Sequence, residues 1–208
     1  MQNEMFRPDR LRRLSAAFAF LGVLGLGEAR AQAAGKEAVP ALSQRTAVCA
    51  ACHGANGNAQ LPNSPSLAGQ PKVFLEQQLI MIREGLRVIP QMAGILDGMP
   101  DEEITAIAQH YADLPIQPQA GEKREEQQFA RGSELAGKMH CASCHMANYE
   151  GREQMPRLAG QREDYLVHSM RDFHTGKAIG RDTMMASVLH GVSDQDIQDM
   201  AHYLAHLK

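Results

Sequence analysis

One block of this chain occurs twice. Residues 49–79, CAACHGANGNAQLPNSPSLAGQPKVFLEQQL, return as residues 141–170, CASCHMANYEGREQMPRLAGQREDYLVHSM. LAGQ stands at 67–70 and again at 158–161. Farther on, QMAGILDGMPDEEITAIAQHYADL (91–114) matches MMASVLHGVSDQDIQDMAHYLAHL (184–207). The order is kept, with single-residue gaps between blocks, so the chain reads as an internal duplication. Its 208 residues suffice for two modules, each of about 80–100 residues.

Both copies carry helical periodicity. Residues 71–85 begin with proline, end with glycine and place Phe74, Leu75, Gln78, Leu79 and Ile82 on one face. Residues 162–176 put Tyr165, Leu166, Met170 and Phe173 on the equivalent stripe. The last helix of the first copy opens on Pro100 and three acids, that of the second on a Ser193/Asp196 capping pattern. Ile104, Ile107, Ala108 and Tyr111, and then Ile197, Met200, Ala201 and Leu204, form their core faces. No alternating strand pattern appears. Residues 114–128 pass from proline-rich to charged and read as a linker entering a helix over 122–138. The expectation is an all-α protein of two tandem domains, 34–118 and 119–208.

All four cysteines fall in two CxxCH runs: Cys49, Cys52 and His53, then Cys141, Cys144 and His145. On a helix, positions i, i+3 and i+4 are neighbours on one face. One short helix can therefore offer two thiols to the vinyl groups of a haem and an imidazole to its iron, and C-x-x-C-H is the corresponding signature. Zinc is the main rival, but a structural zinc site needs four ligands and no second Cys/His pair stands at finger spacing. A thioredoxin-like pair needs a strand–helix context that is missing. Two covalently bound haem c groups are expected.

Methionine or histidine completes the coordination of electron-transfer haems. Met92 follows His53 by 39 residues and Met185 follows His145 by 40, each the same distance ahead of the last helix. Met99 aligns with Val192 and Met184 with Gln91, so neither competitor is matched. Met81, Met170 and Met200 sit on apolar helical stripes and read as core. The expected iron ligands are His53 with Met92 and His145 with Met185. His110 and His202 read as a matched pair of surface or packing residues; His140, His168, His174, His190 and His206 read as solvated. No nucleophile–base arrangement, paired carboxylates or phosphate-binding glycine loop is present.

Residues 1–33 have a basic start, an apolar run (14–27) and small residues at ARAQAA. They read as a secretory signal peptide, the run being short for a spanning helix; the bland alternative is an uncleaved anchor. Export would place the cysteines in an oxidising compartment. The whole chain holds 21 Lys and Arg against 24 Asp and Glu, and the leader holds five basic and three acidic residues, so the remainder is about −5. Mildly acidic and without basic clusters, it is unsuited to nucleic acid or to an anionic membrane surface.

The chain resembles the dihaem class I cytochromes c of the cytochrome c4 family. The likeness rests on CAACHGANGN, PSLAGQ, QMAGIL and DEEITAIAQHYA in the first half, and on CASCHMAN, RLAGQREDYL, MMASVL and SDQDIQDMAHYL in the second. It implies two cytochrome c domains whose haems lie near their interface. It also implies a periplasmic carrier of single electrons, with a quinol-oxidising complex or dehydrogenase as donor and a terminal oxidase as acceptor. Membrane contact would come only through partners or an uncleaved leader. YLVHSMRDF also resembles the dihaem subunit of flavocytochrome c sulfide dehydrogenases, which implies the alternative of an electron-accepting subunit of a periplasmic dehydrogenase. A dihaem peroxidase is the third possibility, disfavoured by methionines matched in both halves. Met146 replaces the glycine that commonly follows CxxCH, implying a different neighbourhood and unequal potentials.

A module of this size with no tryptophan and 5% aromatic residues buries little by itself. A chain with all four cysteines changed to alanine is therefore expected to be largely unfolded by circular dichroism. Cooperative unfolding at an ordinary midpoint would contradict this.

Overall fold

The four helices read from apolar stripes fall where those stripes put them. The computed structural model describes residues 42–117 and 123–208. The leader over 1–33 and the boundary at 118/119 lie outside the described residues. The first half contains α1 (Leu42–His53), α2 (Lys72–Arg83), a 3-10 turn (Pro90–Met92) and α3 (Asp101–Ala112). The second contains α4 (Glu126–Lys138), α5 (Ala142–His145), α6 (Glu163–His174), α7 (Thr183–Val188) and α8 (Asp194–Ala205). Among the described residues there is no strand, only an isolated bridge between Arg152 and Met155. None of these helices is long and apolar enough to cross a membrane.

α2 and α6 are counterparts to the residue, as are α3 and α8, each twelve residues long. Pro71 precedes α2, where a missing N–H costs nothing, and a Lys72–Glu76 pair at 3.2 Å spans its first turn. Ser193 caps α8: its hydroxyl accepts from Asp196 N–H at 3.1 Å and donates to the Asp196 carboxylate at 2.8 Å. The helix expected from 122 begins at Glu126.

The two cores differ in size. Leu75, Leu96, Met99, Ile104, Ile107, Ala108 and Tyr111 fill the first. The second is larger and gathers Leu166, Met170, Phe173, Leu189, Ile197, Met200 and Leu204 among others. The first helices of the two halves are also seated differently. α1 has no fully buried residue, and its Arg45 donates to the buried Glu103 carboxylate of α3 at 3.0 Å. Glu103 thus serves packing as well as the helix dipole. α4 lies close along α8. Arg131 reaches the buried Asp199 carboxylate at 2.6 Å and 3.1 Å, and Phe129 stands edge-on to Tyr203 with centroids 5.0 Å apart. Arg131 holds the Asp199 carboxyl below its usual range.

Gly132 permits that approach, since a Cβ there would stand 2.0 Å from the Asp199 carbonyl oxygen and 2.7 Å from Tyr203 Cβ. Gly132→Ala is expected to destabilise the protein by about 1–3 kcal/mol through overpacking. Gly137→Ala, on the same helix with nothing within 4 Å, should instead gain about 0.5–1 kcal/mol of helix propensity. Denaturant unfolding of the two holoprotein variants checks the contrast.

Candidate haem sites

The first CxxCH run forms the last turns of α1, with Cys49 and His53 half-buried and Cys52 exposed. The second is built differently. α4 stops at Lys138, His140 takes a left-handed backbone (φ 55°), and Cys141 caps the four-residue α5 that ends at His145. Residues i, i+3 and i+4 still share a face in both. Neither pair is closed as a disulfide. Burial pushes the Cys49 and Cys141 thiols up, the former partly offset by the Tyr111 hydroxyl.

Each motif histidine is oriented by one hydrogen bond. His53 Nδ1–H donates to the Pro65 carbonyl at 2.9 Å, and His145 Nδ1–H to the Pro156 carbonyl at 2.9 Å. That bond fixes the tautomer and leaves the lone pair on Nε2. Burial pushes both imidazoles below the ordinary histidine value, partly offset by the proline carbonyls, so both are neutral near pH 7. His145 Nε2 is buried and has no hydrogen-bond partner. A buried nitrogen lone pair left unpaired is costly. An iron bound there satisfies it, so the donor set fits a haem.

Gly54 and Met146 occupy the same place. Gly54 has φ +80°, and a Cβ on it would stand 2.4 Å from the Asn58 carbonyl oxygen. Met146 keeps the positive φ, 68° with ψ 163°, a region that side chains rarely adopt. The same exchange recurs three residues on. Gly57 accepts from Leu67 and Ala68 N–H at 2.7 and 3.0 Å, and Tyr149, with φ 57°, accepts from Leu158 and Ala159 N–H at 2.8 and 3.1 Å. The loop is conserved in shape while its glycines are not.

Met92 packs half-buried against the same core as Cys49, and Met185 against the same core as Cys141. Met99 is core, 4% exposed, and Met184 is 65% exposed. Met170 and Met200 are buried as expected, whereas Met81 is only half-buried.

Two histidine readings change, the pairing of His110 with His202 and the solvation of His206. Gly69 N–H donates to Tyr111 O at 3.0 Å and Gly160 N–H to Leu204 O at 2.9 Å, so Tyr111 and Leu204 are counterparts. His110 therefore corresponds to Tyr203, not to His202. His202 is buried and bonded at both nitrogens: Nε2 accepts from Glu125 N–H at 2.9 Å and Nδ1–H donates to Glu163 at 2.8 Å. His206 is not solvated; its ring is tilted at 44° to that of His202, with centroids 4.2 Å apart, and its Nδ1–H donates to the His202 carbonyl at 2.8 Å. Glu163, His202 and His206 lie close enough to share an ion, but His202 has no lone pair to spare in this arrangement. The trio is a packing cluster that ties α6, α8 and the start of α4.

Known proteins sort with this geometry. The family model described as cytochrome c matches residues 129–208, and that described as cytochrome c oxidase, cbb3-type, subunit III matches residues 35–110. Cytochrome c4 of Pseudomonas aeruginosa is 31% identical over 192 residues, covering 88% of this chain and 92% of that protein. The crystal structure of reduced recombinant cytochrome c4 from Pseudomonas stutzeri superposes with a TM-score of 0.73 at 30% identity, covering 81% of this chain and 97% of that one. The thiosulfate dehydrogenase electron acceptor of Thiomonas intermedia is 30% identical over 169 residues, covering 76% and 78%.

Two tandem class I cytochrome c domains, each with a CxxCH motif, define a dihaem c-type cytochrome, an electron carrier holding two covalent haem c groups rather than a catalyst. The chain belongs to the cytochrome c4 family.

Alanine at the two matched positions should separate the loops. Gly54→Ala meets the Asn58 carbonyl and is expected to cost more than about 1 kcal/mol. Met146→Ala keeps a non-glycine residue at positive φ and should cost less. Thermal unfolding of both variants measures the difference, and equal losses would contradict it.

Proposed function

We propose that this chain is a periplasmic carrier of single electrons, exported by its leader and folded as domains 34–118 and 119–208. Cys49 and Cys52 attach the first haem, Cys141 and Cys144 the second. His53 with Met92, and His145 with Met185, hold the irons. When bound, the haem iron supplies one-electron redox chemistry. The chain's own residues do the rest. Each imidazole is presented in a fixed tautomer by a proline carbonyl. Each methionine offers a soft thioether, which raises the potential relative to a second histidine. The observation that carries this reading is the buried, unpartnered His145 Nε2.

For partners, we favour a quinol-oxidising complex or a dehydrogenase as donor and a terminal oxidase as acceptor. A second reading, an electron-accepting partner of a single periplasmic dehydrogenase, is favoured by the relative named thiosulfate dehydrogenase electron acceptor. Copurification from the native cell with one dehydrogenase supports the second reading; turnover with a terminal oxidase supports the first.

The ligand set has its own test. The methionine–iron(III) absorption band at the red edge should lose part of its intensity in Met92→Ala and another part in Met185→Ala. Full intensity in either variant would overturn that methionine's assignment.

A further inference from the structure

Gln70 and Gln161, the last residues of the two LAGQ runs, exchange hydrogen bonds across the halves. Gln161 Oε1 accepts from Ser66 N–H at 2.8 Å, and its Nε2 donates to Ser66 O at 2.9 Å. Gln70 Oε1 accepts from Arg157 N–H at 3.0 Å, and its Nε2 donates to Arg157 O at 2.9 Å. All four residues are buried. Ser66 and Arg157 occupy the same place in the repeat, each directly after the proline whose carbonyl accepts from the motif histidine.

The carbonyl of Pro65 and the N–H of Ser66 belong to one peptide group, conjugated through a planar C–N bond. Its oxygen end accepts from His53 while its N–H end donates to Gln161. The Pro156–Arg157 peptide stands likewise between His145 and Gln70. A chain of hydrogen bonds polarises its members, by about 10–30% per bond. An acceptor on the N–H end therefore makes the carbonyl a stronger acceptor. The imidazole that donates to it then becomes a stronger electron donor at Nε2. Such a ligand favours the oxidised iron and lowers the reduction potential.

We propose that the two glutamines are crossed positioning residues. Gln161, in the second half, sets the potential of the first haem through the Pro65–Ser66 peptide. Gln70, in the first half, sets the potential of the second haem through the Pro156–Arg157 peptide. This rests on the reading of His53 and His145 as iron ligands.

The surroundings of the two relays differ. Arg157 also donates from its guanidinium to Gly69 O at 3.3 Å, to Ala68 O at 2.9 Å and to Ala159 O. It holds its peptide in place independently of Gln70. At the matched place, the Ser66 hydroxyl accepts from Ala59 N–H at 3.1 Å.

The test is spectroelectrochemical titration of the holoprotein, with the first haem identified as the wave that Met92→Ala displaces. Gln161→Met should raise the potential of that wave more than the other. Gln70→Met should raise the other wave more than that one. Should Gln161→Met fail to fold, Gln161→Glu replaces it. Its carboxylate is a stronger acceptor for Ser66 N–H and should lower the first wave more than the second. Equal shifts of both waves, as simple loosening of the interface would give, overturn the proposal. So do shifts confined to the variant's own half, or no shift. Loss of the low-spin spectrum of the first haem in His53→Ala checks the ligand reading separately. If the spectrum is unchanged there, that reading has failed; if it is lost while the crossed shifts are absent, only the relay has.

Discussion

The hydrogen bond from each motif histidine to a proline carbonyl is the contact on which the rest of the structure depends. It joins the helix that carries the thiols to the loop that ends in LAGQ. That loop is closed on one side by the backbone bonds to Gly57 or Tyr149. It is anchored on the other by the bond from Gly69 to Tyr111, or from Gly160 to Leu204, on the last helix. Motif, loop and last helix therefore form one circuit in each half, and the loop's outer edge presents a glutamine to the opposite half. The orientation of the imidazole and the fit of the two halves are set by the same few residues.

Duplication supplied two copies of this circuit, and divergence has made them unequal. Where one copy has the buried Ser66, the other has the buried Arg157. Burial pushes the Arg157 guanidinium down to about 10, and it has three backbone carbonyls for partners. A buried cation of this kind contributes little to stability once its desolvation is counted. What it adds is direction: its bonds to Ala68 and Gly69 can form only when the second half meets the first in one register. The second half also carries the stronger scaffold, because α4 has a glycine at the crossing with α8 while α1 buries none of its residues fully.

Much of this was legible in the sequence, for identifiable reasons. α2, α3, α6 and α8 follow from apolar stripes with proline, serine and glycine at their ends, because local spacing decides which face is buried. The CxxCH residues are legible because the chemistry demands that spacing. α1 carried no comparable signal, since a helix with no fully buried residue has no apolar stripe to read. The pairing of His110 with His202 failed because two His-Tyr dipeptides sit one residue out of step, and one residue on a helix is a turn of about 100°. The role of the LAGQ glutamines was hidden altogether. Their repetition was visible, but a bond between residues 66 and 161 depends on how two domains meet, which no local pattern encodes.

On the proposed ligation, both halves present a closed pair of axial ligands from matched positions, and both copies work as electron-transfer sites. Electron paramagnetic resonance of the fully oxidised holoprotein tests it most directly. Two low-spin ferric signals of comparable intensity, with no high-spin component, are the predicted result. A high-spin signal accounting for one of the two irons would contradict it.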